Sequence, residues 1–306
     1  MATQKEVKNR IASVKNIHKI TRAMEMVAAA RLRRAEQRIA AMRPYAQAIR
    51  KMTQQVAEAA EGTIPRIKLL EERESPSRVG IILVTGDRGL AGAFNTNIIR
   101  EGTRLKREFE GDGADVQFAV VGRRGNSTLT FRGEDIANSY VGFTDRPAFT
   151  DAREISRDVT AAYIDEDLDR VELVYNRYVS PLTQYVRRQT LLPLQEAEVY
   201  GEGIPEPEEP ADPELAEAHE KAYWDYEPEP DILLPMLFEE YVDLSVYRAL
   251  LESSASELGA RMTAMRNAAE NAQDMIQDLT LEANRVRQAE ITQEILEVVS
   301  GAEALS

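Results

Sequence analysis

Residues 251–286 read LESSASELGARMTAMRNAAENAQDMIQDLTLEANRV, and their spacing decides the fold. Leu251, Ala255, Leu258, Met262, Met265, Ala269, Ala272, Ile276, Leu279, Ala283 and Val286 recur in alternating steps of four and three. Apolar residues about 3.5 apart mark a helix that packs lengthwise along another helix. Across 236–300 no proline interrupts the run, and Gly259 is its one glycine.

The other end of the chain repeats the pattern. Val7, Ile11, Val14, His18, Thr21, Glu25, Ala28, Leu32, Ala35, Ile39, Met42, Ala46, Ile49, Thr53 and Val56 follow the same steps, with Pro44 inside and no glycine before Gly62. Between His18 and Glu25 the apolar side drifts one residue over, to Ile17, Ile20, Met24 and Val27, which predicts a turn of the stripe toward a different neighbour. At about 1.5 Å per residue the two helices would run to roughly 85 and 95 Å. Helices of that length at opposite ends of one chain pair most simply as an antiparallel coiled coil. Alanines in both seams favour a slim, stiff rod over a bundle, which would need shorter helices and turn signals.

The intervening residues have a different period. Residues 78–86 (RVGIILVTG) and 116–122 (VQFAVVG) are short apolar runs ending at glycine, as buried strands do. Residues 93–110 and 150–168 read as helices, the second with Thr150 and Asp151 as cap candidates. Two more strands, 171–179 and 185–194, are joined by a turn at Ser180-Pro181. This order predicts a small α/β domain with a mostly parallel sheet. The resulting division is a coiled-coil helix over 1–58, an α/β domain over 76–200, an acidic proline-rich insertion over 201–219, and a docking segment leading into the second coiled-coil helix over 220–306.

The net charge of -14 is unevenly spread. Residues 1–50 carry 12 Lys/Arg against three acids, while 236–306 carry five Arg against 13 acids and 201–231 carry 12 acids against Lys221. A basic and an acidic helix attract one another, although exposed pairs contribute little individually. The bulk charge disfavours nucleic acid as a partner. Zero cysteines exclude disulfides, thiolate ligands and a thiol switch, and no stretch of 18 apolar residues suggests direct membrane insertion. The interrupted N-terminus lacks the apolar core of a secretory signal, which points to a cytoplasmic chain.

Chemistry-bearing motifs are sparse. In TGDRGLAGAFN (85–95) the glycines stand at Gly86, Gly89 and Gly92, so neither the dinucleotide fingerprint nor a phosphate loop is met, and tight-turn packing is the expected role. The two histidines, His18 and His219, are too far apart in the chain to suggest a metal site or a triad. Asp87-Arg88 and Asp165-Glu166-Asp167 read as solvated charges on loops and helix ends. No catalytic residue, cofactor or metal is expected. Arg31, Arg33 and Arg34 form a dense basic cluster, which is either a solvated helix face or a contact for an acidic partner.

Three blocks, residues 10–36 (RIASVKNIHKITRAMEMVAAARLRRAE), 85–95, and 258–304 opening LGARMTAMRNAAENAQ, resemble the gamma subunit of F-type ATP synthases. Residues 224–242 (WDYEPEPDILLPMLFEEYV) are similar as well, whereas 201–219 look like an insertion. Ala91 and Ala93 depart from the cysteine and glycine of many members, and the redox-switch cysteines of chloroplast members are missing. The resemblance implies a non-catalytic central rotor shaft, peripheral on the cytoplasmic face of the cell membrane. Its partners would be the alpha and beta subunits of the catalytic hexamer, an epsilon subunit and a ring of c subunits. By position it also implies beta-subunit contacts at Met24, Arg31, Arg33, Arg34, Arg287, Gln288, Thr292 and Glu294, with Ile291, Ile295, Leu296, Val298 and Val299 as an apolar end turning in a sleeve. The rival readings from the residues alone are a free-standing coiled-coil adaptor or chaperone, and a nucleotide-binding α/β enzyme.

Overall fold

The computed structural model describes residues 3–59, 67–73, 75–195 and 227–303. The predicted insertion 201–219 and the docking residues 220–226 lie outside them. Two helices are long. Helix α1 spans Gln4–Ala59 with Pro44 inside, and the last helix, α5, spans Pro230–Glu303. Helix α5 begins inside the predicted 220–306 segment and ahead of the proline-free run from 236, because Pro230 occupies the first turn, where a missing N–H costs nothing, and the helix tolerates Pro235 just beyond. The chain forms two compact units, residues 1–31, 90–92 and 258–306 in one and residues 32–89 and 93–257 in the other.

In the first unit α1 and α5 lie antiparallel. The Gln4 amide donates to Glu290 Oε1 at 3.3 Å, Asn9, Arg10 and Ser13 share a groove with Met275 and Leu279, and Arg266 Nε donates to Glu25 Oε1 at 3.0 Å. Residue numbers that rise on one helix as they fall on the other define the antiparallel pair. The seam residues of this unit face inward, with Val7, Thr21, Glu25, Ala28, Met262, Met265, Ala269 and Ala272 buried. The predicted drift resolves differently from a turn of the helix. His18, Thr21 and Glu25 keep the inward positions, and apolar Ile17, Ile20 and Val27 are left outside, each more than half exposed. Since the chain has no cysteine, Ser13→Cys paired with Met275→Cys or Leu279→Cys should be joined by a short bismaleimide. A Ser13→Cys/Met262→Cys control should not.

The second unit is an open α/β layer. Strands β1 (Arg78–Val84), β2 (Asp115–Val121), β3 (Ile136–Tyr140), β4 (Arg170–Tyr178) and β5 (Gln184–Leu192) form one sheet in the order β3-β2-β1-β4-β5. The first four are parallel, and β5 turns back antiparallel on β4. Helix α2 (Phe94–Gly111) links β1 to β2, α3 (Arg123–Phe131) links β2 to β3, and α4 (Phe149–Ile164) links β3 to β4. On α4 the Asp151 carboxylate accepts the Ala148 N–H at 2.7 Å, so the capping acid sits inside the first turn and Ala148 is the cap residue. One face of the sheet packs Ile82, Val84, Val121, Leu173 and Tyr175 against α4 and against the parts of α1 and α5 in this unit, through Ile49, Val56, Phe238, Val242 and Leu250. Burying such side chains contributes about 1.5–3 kcal/mol each. Helix α3 and strand β3 are additions to the expected elements.

Candidate functional site

In an open parallel sheet the ligand crevice lies beyond the carboxyl ends of the strands, where the chain order reverses. Here that point falls between β1 and β4, and it is filled. Ser253 Oγ donates to the Val84 carbonyl at 3.3 Å and Ser256 Oγ donates to the Asn176 carbonyl at 3.1 Å, so α5 satisfies the ends of both strands. The Glu257 carboxylate comes so close to Gly86 that a Cβ there would meet it at 2.7 Å. The space left among Val84, Thr85, Thr144, Ser253 and Glu257 is about 10 Å³, room for one water at most. A nucleotide phosphate would meet a buried carboxylate in place of helix N–H groups.

The loop that follows β1 is a joint. Thr85 Oγ1 donates to the Val121 carbonyl at 2.6 Å and accepts the Gly125 N–H at 2.9 Å, tying β1 to the start of α3. Asp87, expected to be solvated, is instead a clamp. Its Oδ2 accepts the Gly142 N–H (2.9 Å), the Thr144 N–H (3.1 Å) and the Thr144 hydroxyl (3.0 Å), while Oδ1 accepts the Arg123 N–H (3.1 Å). Burial pushes the Asp87 carboxyl up, but these donors outweigh it and hold the group below its ordinary value. Sequence reasoning missed this cluster because three of the four donors are backbone amides and all four come from the two unforeseen connections. No group of three or more metal-ligating side chains occurs among the described residues.

The residues singled out for contact lie on the helices. Met24 is half-buried, and Arg31, Arg33 and Arg34 are exposed on α1. On α5 Arg287, Gln288, Thr292 and Glu294 are exposed, and the Thr292 hydroxyl donates to the Gln288 carbonyl at 2.8 Å. Within the first unit Met24 and Arg287 do not share one site. Met24 lies level with Arg266, and Arg287 is about 30 Å further along the helix axis. Ile291, Ile295, Leu296, Val298 and Val299 are all exposed near the end of α5.

Comparison with known proteins places the chain in a family. The family model described as ATP synthase matches residues 3–305. The ATP synthase gamma chain of Rubrobacter xylanophilus is 40% identical over 311 residues, covering 100% of this chain and 99% of that one. The chain belongs to the ATP synthase gamma chain family. The gamma chain of Moorella thermoacetica is 39% identical over 305 residues, with both chains covered completely. Among solved structures, a central-stalk chain of the Tetrahymena thermophila mitochondrial ATP synthase aligns with a TM-score of 0.59 and 28% identity, over 81% of this chain and 99% of that one. A rotor chain of the Euglena gracilis enzyme shares the fold, with a TM-score of 0.61 at 19% identity over 94% and 98% of the two chains. As a gamma chain the protein is a non-catalytic subunit.

Proposed function

We propose that this gamma chain is the central shaft of a rotary ATP synthase, carrying the turning of an ion-driven c-ring to catalytic sites on beta subunits. The observation that supports it is the unlike chemistry of the two sides of the helix pair. The α1 side exposes Ile17, Ile20, Met26 and Val27 among Lys15, Lys19 and Arg22, whereas the α5 side exposes Glu270, Asp274 and Asp278 around Met275 and Leu281. A symmetric shaft would treat three equivalent sites alike. One with a basic side and an acidic side contacts each beta subunit differently at any angle and so favours a different conformation in each.

In this reading Met24, Arg31, Arg33 and Arg34 meet beta at one level, and Arg287, Gln288, Thr292 and Glu294 meet it at another. The α/β domain meets epsilon and the c-ring. The chain is peripheral, on the cytoplasmic face of the cell membrane, and among the described residues no helix is long and apolar enough to cross one. The enzyme alternative is disfavoured by the Glu257 carboxylate in the crevice, and saturable binding of ATP or NAD to the full chain would revive it.

Met24→Lys in the assembled enzyme should leave ATP hydrolysis within about twofold of native while lowering ion-driven synthesis about tenfold, since a new charge at a turning contact favours one angle over the others. Equal losses in both assays would remove Met24 from the coupling surface.

A further inference from the structure

The apolar seam of the first unit does not by itself choose how far one helix slides along the other. Its contact residues include Ala28 on α1 with Ala269, Ala272 and Ala283 on α5, and small side chains make shallow knobs that fit a neighbouring hole nearly as well. At Thr21 the buried hydroxyl turns back on its own helix, donating to the carbonyls of Ile17 (3.0 Å) and His18 (3.1 Å), so it adds nothing across the seam.

Glu25 differs. It is 8% exposed, and both of its oxygens are held. Arg266 Nε reaches Oε1 from the opposite helix at 3.0 Å, and Arg22 Nη1 reaches Oε2 from one turn back at 2.7 Å. We propose that the Glu25–Arg266 pair fixes the register of the two shaft helices, and that this register is needed for the shaft to couple rotation to synthesis. The second half rests on the shaft reading above; the first half does not.

Each slip would set a different residue opposite Glu25. Moving α5 by one turn sets Met262 or Glu270 where Arg266 stands, and moving it by one heptad sets Gly259 or Gln273 there. None of the four is a cation, and Glu270 is a second anion. In every slipped register Arg22 stays on Oε2, but Oε1 loses its donor from the other helix, and a buried carboxylate oxygen left without a donor is disfavoured, so slipping is penalised while the alanine seam would tolerate it. A single polar pair in an otherwise apolar seam commonly specifies register in this way, at no gain in stability. A shaft free to slip would absorb turning by sliding of its helices and pass on less of it.

The experiment uses the full chain in its assembled complex, with Ser13→Cys combined in turn with Met275→Cys, Ala268→Cys or Glu282→Cys. In the native background the 13–275 pair should dominate after oxidation. Adding Glu25→Leu, or separately Arg266→Leu, should lower the 13–275 product about threefold and raise the 13–268 or 13–282 product, the positions one heptad away. In the Glu25→Leu enzyme without added cysteines, ATP-driven ion pumping per ATP hydrolysed should fall, while the thermal transition stays unchanged or rises. A 13–275 product that stays dominant in both variants overturns the proposal and leaves the shaft reading standing. Scrambled products with unchanged pumping per ATP overturn its second half. If the native chain neither assembles with a catalytic hexamer nor pumps, the shaft reading itself has failed.

Discussion

Gly122→Val should destabilise the α/β unit by about 4 kcal/mol or more, a large share of the 5–15 kcal/mol by which such domains are folded. Gly122 holds φ at 92°, a backbone region that side chains with a Cβ rarely adopt, and its N–H donates to the Tyr140 carbonyl at 2.7 Å. A Cβ built there would stand 2.4 Å from the Thr85 carbonyl oxygen, a backbone atom with no rotamer to retreat to. To make room, β2 must leave β1 at the point where Thr85 Oγ1 stitches Val121 to Gly125. Gly113→Ala is the control, because φ is 89° there but nothing lies within 4 Å of the new Cβ, so backbone strain of about 1–2 kcal/mol is the whole cost. Chemical denaturation of both variants separates the two effects. If valine costs no more than the alanine control, the Thr85 joint is not the fixed point described above.

The same joint shows how far the sequence could be read. The long helices were legible because a lengthwise pairing repeats one constraint many times, and every predicted seam position from Val7 to Val56 and from Leu251 to Val286 is buried or half-buried. Helix α3, RRGNSTLTF, and strand β3, IANSY, carried no such period. The first is short and rich in residues that favour turns, and the second is an edge strand whose burial alternates weakly. Missing those two elements meant missing the partners of Asp87, which come from residues 123, 142 and 144 and include three backbone amides. The buried run ESSASE at 252–257 was readable only as part of a seam. Its serines make sense once strand-end carbonyls are brought against them by the fold. The contact residues were legible through family resemblance alone, since surface positions are not fixed by any demand of the core.

A second electrostatic clamp sits at the other end of the sheet and makes the fold sensitive to acid. Asp169 Oδ2 accepts the Ser77 N–H (2.9 Å), the Ser77 hydroxyl (2.7 Å) and the Arg78 N–H (2.9 Å), and Oδ1 accepts the Arg73 guanidinium. Arg73 also donates to the Leu168 carbonyl at 2.9 Å and lies over the Tyr163 ring, so one carboxylate ties the segment before β1 to the start of β4. Burial alone would raise the Asp169 carboxyl, but the donors prevail and hold it far below the usual carboxylate range. A carboxyl depressed in the folded state stabilises fully above its unfolded value of about 3.9, and that stability is lost as pH falls from there toward the folded value. Asp87 shifts in the same direction and adds to the effect. Asp169→Asn, which removes the charge and turns an amide toward Arg73, should therefore cost about 3 kcal/mol at pH 7. The gap between native and variant, measured by urea unfolding, should stay level down to about pH 5 and narrow steadily toward about pH 3. A gap that holds constant across that range would mean the charge of Asp169 is not what binds the two strands together.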